Sequence, residues 1–300
     1  MRTQCAYCAP LYEALTLDVN PSKQSNDRRM AKSARAQPAF EDSRDYVQSL
    51  ARGLAVLRAF DAEHTRLSLA EIAHRASTSR AAARRLIMTL EHLGYVRLSG
   101  REYVLSPSVL ELGFGYLGSL NLTDLAQPLL EELARTVNQS SSMAVLDGQS
   151  IVYVARSPGR RIMSVTLGVG ARLPASTASM GRVLLSGLDE DSLDAWLTHC
   201  KPAKLTAHTV TDVRRLRRIV EDVRRQGHAW VEQELEMGLC SIAVPVHNGD
   251  GRVAAAINVS MPYYPDVERD ATRTILPQLK LTAAAIEGCA PSHRLPAVAA

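Results

Sequence analysis

Hydrophobic positions first recur at helical spacing near Val47. Val47, Leu50, Leu54 and Leu57 follow at steps of three and four, one apolar face of a helix. The polar stretch Asp61-Ala-Glu-His-Thr65 ends it. Ser68 then precedes Leu69-Ala-Glu71, a capping box in which each side chain satisfies a backbone N–H at a helix start. This second helix reaches about Ala76. Ser77-Thr78-Ser79 supplies a turn and a new N-cap, and a third helix follows over 80–93, stopped by Gly94. Leu86, Leu90 and Leu93 are its predicted core face. Tyr95-Val-Arg97-Leu and Glu102-Tyr-Val-Leu105 read as strands joined by the turn Ser99-Gly100-Arg101.

Three helices and a hairpin predict a winged helix-turn-helix over 43–106. Its third helix enters the major groove, and its wing touches the adjacent backbone. The predicted contacts are Ser79, Arg80, Ala81, Arg84 and Arg85 on the helix, with Arg97 and Arg101 on the wing. Small side chains allow close approach, and arginines reach phosphates or guanine edges. The alternative is a small helical domain whose arginines are merely solvated. Clustering of arginines at one helix start, rather than bulk charge, favours DNA.

Residues 107–121 read as a linker helix. Ser106-Pro107 is an N-cap with proline at the first helical position, and Leu110, Phe114 and Leu117 share a face. The same segment holds Gly113-Phe-Gly115-Tyr-Leu-Gly118. A dinucleotide site would need a strand before it and an acidic residue about 20 positions on at a strand end. Glu131 and Glu132 lie instead within an amphipathic helix carrying Leu125, Leu129, Leu130 and Leu133.

From Ser140 the period falls to two. Met143–Leu146 and Ile151–Ala155 flank an Asp147-Gly148 turn, and Arg161–Thr166 reads as a third strand. A loop over 167–174 leads to a helix from about Ser176 to Leu185. Asp189 caps another helix, and Val213–Arg225 is a charged helix ended by Gly227. Ser241–Val246 and Val253–Ser260 form a second hairpin before a closing helix. Long helices on one side of an antiparallel sheet make 122–288 an α+β sensor-like domain. The arginines at 214, 215, 217, 218, 224 and 225 point around their helix among Glu221 and Asp222, as a solvated face does.

Composition narrows the class. The chain has 300 residues, 46% hydrophobic and 22% charged, with a net charge of +4. Its longest uncharged stretches, 237–249 and 253–265, are too short to span a bilayer, so no membrane role is expected. Five scattered cysteines make no disulfide framework and suit a reducing, cytoplasmic setting. Cys5 and Cys8 form a C-x-x-C without the second ligand pair that zinc needs. Residues 1–42 and 289–300 read as disordered ends, and a start at Met30 would remove most of the leader without touching a packed element. No metal site, cofactor or catalytic residue is expected, since G-x-S-x-G, the P-loop and His-Glu-x-x-His are all missing.

The stretch 45–287 resembles the IclR family of bacterial transcriptional regulators. Within it the chain is most similar to regulators of the β-ketoadipate (protocatechuate) pathway and their 4-hydroxybenzoate relatives. The resemblance rests on Ser49-Leu-Ala-Arg-Gly-Leu-Ala-Val-Leu57, Ser79-Arg-Ala-Ala-Ala-Arg-Arg85, Leu93-Gly-Tyr-Val96, Gly170-Ala-Arg-Leu-Pro174, Val231-Glu-Gln-Glu-Leu-Glu236 with Gly238, and Ser241-Ile-Ala-Val-Pro245. It implies a GAF-like α/β effector-binding domain behind the winged helix-turn-helix, a double-stranded DNA operator, and a homodimer or dimer of dimers. The implied effector is a small organic acid of the β-ketoadipate, protocatechuate or 4-hydroxybenzoate class. By position, its pocket falls on Gly170 and Ala171 (backbone N–H), Ser241, Asn258 and Ser260. Strand alternation places Asn258 and Ser260 on one face with Ala256, away from Ile257 and Val259. Three positions depart from the family pattern: Ser77 stands where glycine is usual, Val231 where an acid is frequent, and Ser241 where cysteine is frequent. Two rival readings are an enzyme acting on a small acid with a DNA-binding anchor, and a ligand-free architectural DNA-binding protein.

Overall fold

A computed structural model describes residues 40–61, 63–113, 122–159 and 168–289. Contacts divide the chain into two compact units at about position 117. Most of the leader with its Cys5-Cys8 pair, the predicted strand 161–166, the rest of the glycine motif beyond Gly113 and the end beyond Cys289 lie outside the described residues. Phe40–Asp42, at the end of the predicted leader, form a 3-10 turn.

The N-terminal unit holds α1 (Gln48–Arg58), α2 (Leu69–Arg75), α3 (Arg80–His92), β1 (Val96–Ser99) and β2 (Glu102–Leu105). Its helix starts are those the sequence predicts. Ser68 and Glu71 close a full capping box, and the Ser68 donors hold the Glu71 carboxyl below the usual carboxylate range. Ser79 Oγ accepts the Ala82 N–H at 3.2 Å to cap α3. Between α2 and α3 the chain turns at Ser77 with φ 47°, a left-handed conformation that glycine adopts without strain. Leu67 and Tyr103 exchange backbone hydrogen bonds of 3.1 and 2.8 Å, which ties the wing to the start of α2.

Two predicted faces in this unit shift. In α1, Val47, Leu50 and Leu54 are 59%, 63% and 41% exposed, and the core takes Val56, Ala59 and Phe60 instead. Core packing is concentrated at and just beyond the C-terminal end of α1, in Val56, Leu57, Ala59 and Phe60, and the apolar stripe ahead of it stays exposed within the unit. In α3 the buried line is Ala83, Ile87 and Leu90; of the predicted line Leu90 is buried, Leu86 is half-buried and Leu93 is exposed. Residues 109–113 are helical, the described part of the predicted linker helix.

The C-terminal unit is an antiparallel sheet in the order β5-β4-β3-β8-β7-β6. Its strands are β3 (Ser140–Asp147), β4 (Ser150–Ser157), β5 (Arg172–Pro174), β6 (Ala229–Glu232), β7 (Leu239–His247) and β8 (Val253–Pro262). The helices are α4 (Leu122–Val137), α5 (Ser179–Ser186), α6 (Glu190–His199), α7 (Val213–Gln226), α8 (Val267–Asp270) and α9 (Leu276–Cys289), with a π turn at Ala271–Ile275. Helices cover both faces of the sheet rather than one. Met143, Ile257 and Val259 pack on Leu130 and Leu133 of α4 and Leu279 and Ile286 of α9. On the opposite face Ala144, Ala243 and Ala256 meet Val183 and Leu184 of α5, backed by α6 and α7. The reason lies in the centre of the sheet, where β8 is buried in both registers: Ala255, Ile257, Val259 and Met261 are apolar on one face and Ala256 on the other, so each face needs a cover. The edge strands β5 and β6 have three and four residues, too few for a period of two to show in the sequence.

Alanines under α5 let it sit low on the sheet, and a Cβ at Gly181 would run into the Ala175 carbonyl. All residues of α5 from Ser179 to Leu185 are buried, Arg182 included. Its guanidinium pairs with Glu234 at 2.7 Å and donates to the Ser176 carbonyl at 3.1 Å. The Glu234 carboxylate also accepts the Val210 N–H at 2.9 Å. This pair joins α5 to the 233–239 segment. By contrast, the α7 arginines form a solvated network: Arg217 contacts Glu190 and Glu221 at 2.9 Å, and Arg225 pairs with Asp222. Exposed pairs of this kind contribute at most about 1 kcal/mol each.

Replacing one partner of the buried pair leaves the other charge unpaired, at a cost of about 3–5 kcal/mol. Glu234→Gln is therefore expected to lower the urea midpoint of the full chain sharply. The double variant Arg182→Met with Glu234→Leu should recover much of the loss. A small loss in Glu234→Gln, with no recovery in the double variant, would remove the pair from its central place in the unit.

Candidate functional site

The sheet's register builds a polar row on the face beneath α5. Arg156 on β4 lies opposite Ser142 on β3, Ser142 opposite Asn258 on β8, and Asn258 opposite Ala243 on β7. One step along, Ser260 lies opposite Ser241, and Ser241 opposite Val231 on β6. Strict alternation along β4 would separate Tyr153 from Arg156. A β-bulge between Met143 and Ala144 of β3 leaves Val154 as an extra residue on β4, and both side chains then reach the same face.

These residues line a cavity. Ser142, Tyr153, Arg156, Ser241, Asn258 and Ser260 form its floor, and Thr177, Ala178, Ser179 and Met180 at the start of α5 form one wall. Leu173, Val231, Leu235 and Leu239 supply apolar surface. The Ala178 N-cap offers no side chain to the first turn of α5, so this helix start adds a partial positive charge to the wall. Arg156 is half-buried and is the cation among the described lining residues. Burial pushes the Tyr153 phenol up to about 12 against the pull of Arg156, which keeps it protonated and able to donate near neutral pH.

Hydrogen bonds within the cavity are incomplete. Ser241 Oγ donates to Ser179 Oγ at 2.9 Å, linking β7 to the start of α5. Asn258 Nδ2 donates to Ser260 Oγ at 3.1 Å, and Asn258 Oδ1 is buried without a partner. No histidine or carboxylate is among the described lining residues. Cys240 points to the other face, where burial pushes its thiol up to about 12.

Of the predicted ligand residues, the structure brings Ser241, Asn258 and Ser260 together. Gly170 and Ala171 are not among the lining residues. The Gly170 N–H donates to the Tyr153 carbonyl of β4 at 2.7 Å and the Ala171 N–H to the Gly168 carbonyl at 3.1 Å, so one amide ties the loop to the sheet and the other closes the loop's own turn. Sequence reasoning missed Tyr153 and Arg156 because the bulge carries no residue signature, and Ser179 because its helix was placed too early.

The second site is the outer face of α3. Ser79, Arg80, Ala81, Arg84 and Arg85 are all exposed. Arg80 and Arg84 lie one turn apart, Arg85 follows, and no carboxylate pairs with them among the described residues. Arg97 on β1 and Arg101 in the wing turn are exposed too. Unpaired arginines at a helix start, beside a hairpin, match the chemistry of a phosphate backbone and base edges.

Comparison with known proteins agrees with this two-part arrangement. The model of the IclR helix-turn-helix domain matches residues 49–100, and that of the bacterial transcriptional regulator IclR C-terminal domain matches 114–288. The Pca regulon regulatory protein of Pseudomonas putida is 44% identical over 232 residues, 77% of this chain and 80% of that protein. The p-hydroxybenzoate hydroxylase transcriptional activator of Acinetobacter baylyi is 37% identical over 219 residues, 71% of this chain and 81% of that protein. A crystal structure of an IclR homolog from Microbacterium hydrocarbonoxydans complexed with 4-hydroxybenzoate is 25% identical, with a TM-score of 0.71, and covers 80% of this chain and 98% of that one. The chain belongs to the IclR family of bacterial transcriptional regulators.

Proposed function

We propose that this regulator controls genes for the catabolism of aromatic acids, and that a small organic acid in the cavity under α5 sets its grip on DNA. The observation that carries the reading is the half-buried Arg156 at one end of a polar row otherwise walled by apolar side chains. A carboxylate leaving water must recover its hydrogen bonds, and a guanidinium with a neutral phenol beside it replaces them. The relatives named for the Pca regulon and for p-hydroxybenzoate hydroxylase, and the homolog holding 4-hydroxybenzoate, support the same ligand class. Ser241 bonds to Ser179, and Ser260 to Asn258, rather than to a general base, which favours sensing over turnover.

In this reading α3 lies in the major groove with Arg80, Arg84 and Arg85 at base edges or phosphates, and the wing arginines lie on the backbone. We take the working form as a homodimer or dimer of dimers. The exposed stripe Val47, Leu50 and Leu54 offers an apolar face for a second copy, and two copies present two recognition helices to two half-sites. No described helix is long and apolar enough to cross a membrane. A double-stranded DNA operator as partner supports a cytoplasmic site of action. The ligand must favour one arrangement of the DNA-binding heads over another, since equal affinity for both shifts nothing.

Arg80→Ala and Arg84→Ala are each expected to weaken binding to duplexes that the wild-type chain selects from random DNA, with melting temperature kept. A base-reading arginine costs about 1–3 kcal/mol and relaxes specificity at one position, whereas a phosphate contact lowers the salt slope by about one. Unchanged binding and salt slope in both variants would move the DNA face away from α3.

Calorimetry of the full chain with 4-hydroxybenzoate, protocatechuate and β-ketoadipate tests the cavity. At least one should bind, and Arg156→Ala should weaken it at least tenfold, since a charge-assisted hydrogen bond contributes about 1.5–3 kcal/mol. Binding that ignores Arg156 would place the ligand elsewhere.

A further inference from the structure

A second concavity lies in the N-terminal unit, at the turn between α2 and α3. Arg52 of α1, His74 of α2 and the turn residues Ser77, Thr78 and Ser79 line it. No carboxylate lines it. Helix α1 carries no acid; the acid of α2, Glu71, is held by the Ser68 cap; and the acid of α3, Glu91, accepts the Leu98 N–H at 3.2 Å. Arg52 and His74 are exposed, and their side chains have no ion-pair or hydrogen-bond partner among the described residues. Ser79 Oγ is committed to the α3 cap, whereas the hydroxyls of Ser77 and Thr78 have no partner among those residues.

The backbone at Ser77 adds a second observation. Its φ of 47° strains any side chain, and glycine would relieve it. The turn itself needs no hydroxyl: it is closed by the Ser77 N–H on the His74 carbonyl at 3.1 Å and the Thr78 N–H on the Ala73 carbonyl at 2.9 Å. What serine brings over glycine is one more hydroxyl at the concavity. A guanidinium, an imidazole N–H and two hydroxyls, with no acid among them, match the oxygens of a phosphate.

We infer that Arg52, His74, Ser77 and Thr78 hold one backbone phosphate of the operator, and that Ser77 keeps its strained turn for that contact. The inference rests on the reading of α3 as the DNA face. The contact carries no base identity: it fixes where the duplex sits against the start of α3, and the outer arginines of that helix do the reading.

The test follows binding of the full chain to the duplexes it selects from random DNA, and to unrelated duplexes, over a range of salt. Arg52→Ala should weaken both by about fivefold near 0.15 M salt, and flatten the slope of log affinity against log salt by about one. Arg52→Lys, which keeps the charge, should retain the slope. Ser77→Gly should weaken binding by about threefold while its melting temperature is kept or raised. In a series of selected duplexes with one phosphate at a time replaced by a neutral methylphosphonate, one position should weaken the wild-type chain and leave Arg52→Ala unchanged. Wild-type affinity and slope in Arg52→Ala, beside a weakened Arg80→Ala, would overturn the phosphate site and leave α3 as the DNA face. Loss in neither variant would instead overturn the reading of α3. Wild-type affinity in Ser77→Gly would overturn the role of its hydroxyl. A loss in Arg52→Ala that no methylphosphonate position reproduces would overturn the backbone contact, since a purely structural arginine, or one that binds free phosphate, gives that result.

Discussion

Both faces of the six-stranded sheet are covered by helices, so a polar side chain on either face must find a partner or leave a cost of about 1–3 kcal/mol. That constraint organises the C-terminal unit. On the face under α4 and α9 it is met mostly by omission, with Met143, Ile257 and Val259 apolar, while Ser141 Oγ donates to the Leu130 carbonyl of α4 at 2.7 Å and Trp230 Nε1 stays buried without a partner. On the face under α5 it is met by pairing wherever packing is complete: Arg182 with Glu234, Ser241 with Ser179, Asn258 Nδ2 with Ser260. The pairing stops at Asn258 Oδ1, which is also where the cavity lies.

Helix α5 connects these facts. Its seat on the sheet depends on alanines beneath it and on Gly181 against the Ala175 carbonyl. Its first turn walls the cavity, and one turn further on Arg182 holds the 233–239 segment, which supplies Leu235 and Leu239 to the same cavity. A ligand that touches the start of α5 and these leucines therefore bears on two elements fastened to each other by a buried ion pair. The N-terminal unit follows a simpler rule: its core is apolar, and the arginines of its third helix are left exposed without carboxylate partners.

Much of this was legible in the sequence. Ser68 with Glu71, Ser79, Asp189, Gly94 and Gly227 mark helix ends by local chemistry, and each acts as that chemistry requires. The same alternation that set Asn258 and Ser260 on one face holds in the sheet. What stayed hidden depends on long-range packing. The stripe Val47, Leu50 and Leu54 is periodic, but periodicity cannot say which part of a helix its neighbours reach. A single extra residue at Val154 exchanges the faces of a strand, and no residue type announces it. Arg156 and Tyr153 were missed for that reason, and with them the charged end of the cavity.

Hydrogen–deuterium exchange on the full chain, with and without saturating protocatechuate, tests the central claim that an acid binds between the inner face of the sheet and the start of α5. The N–H groups of the first turn of α5 lack helical partners, so they should gain the most protection, together with 153–156 and 239–243. Protection confined to α4, α9 or the N-terminal unit, with the start of α5 unchanged in the ligand-bound chain, would contradict the account.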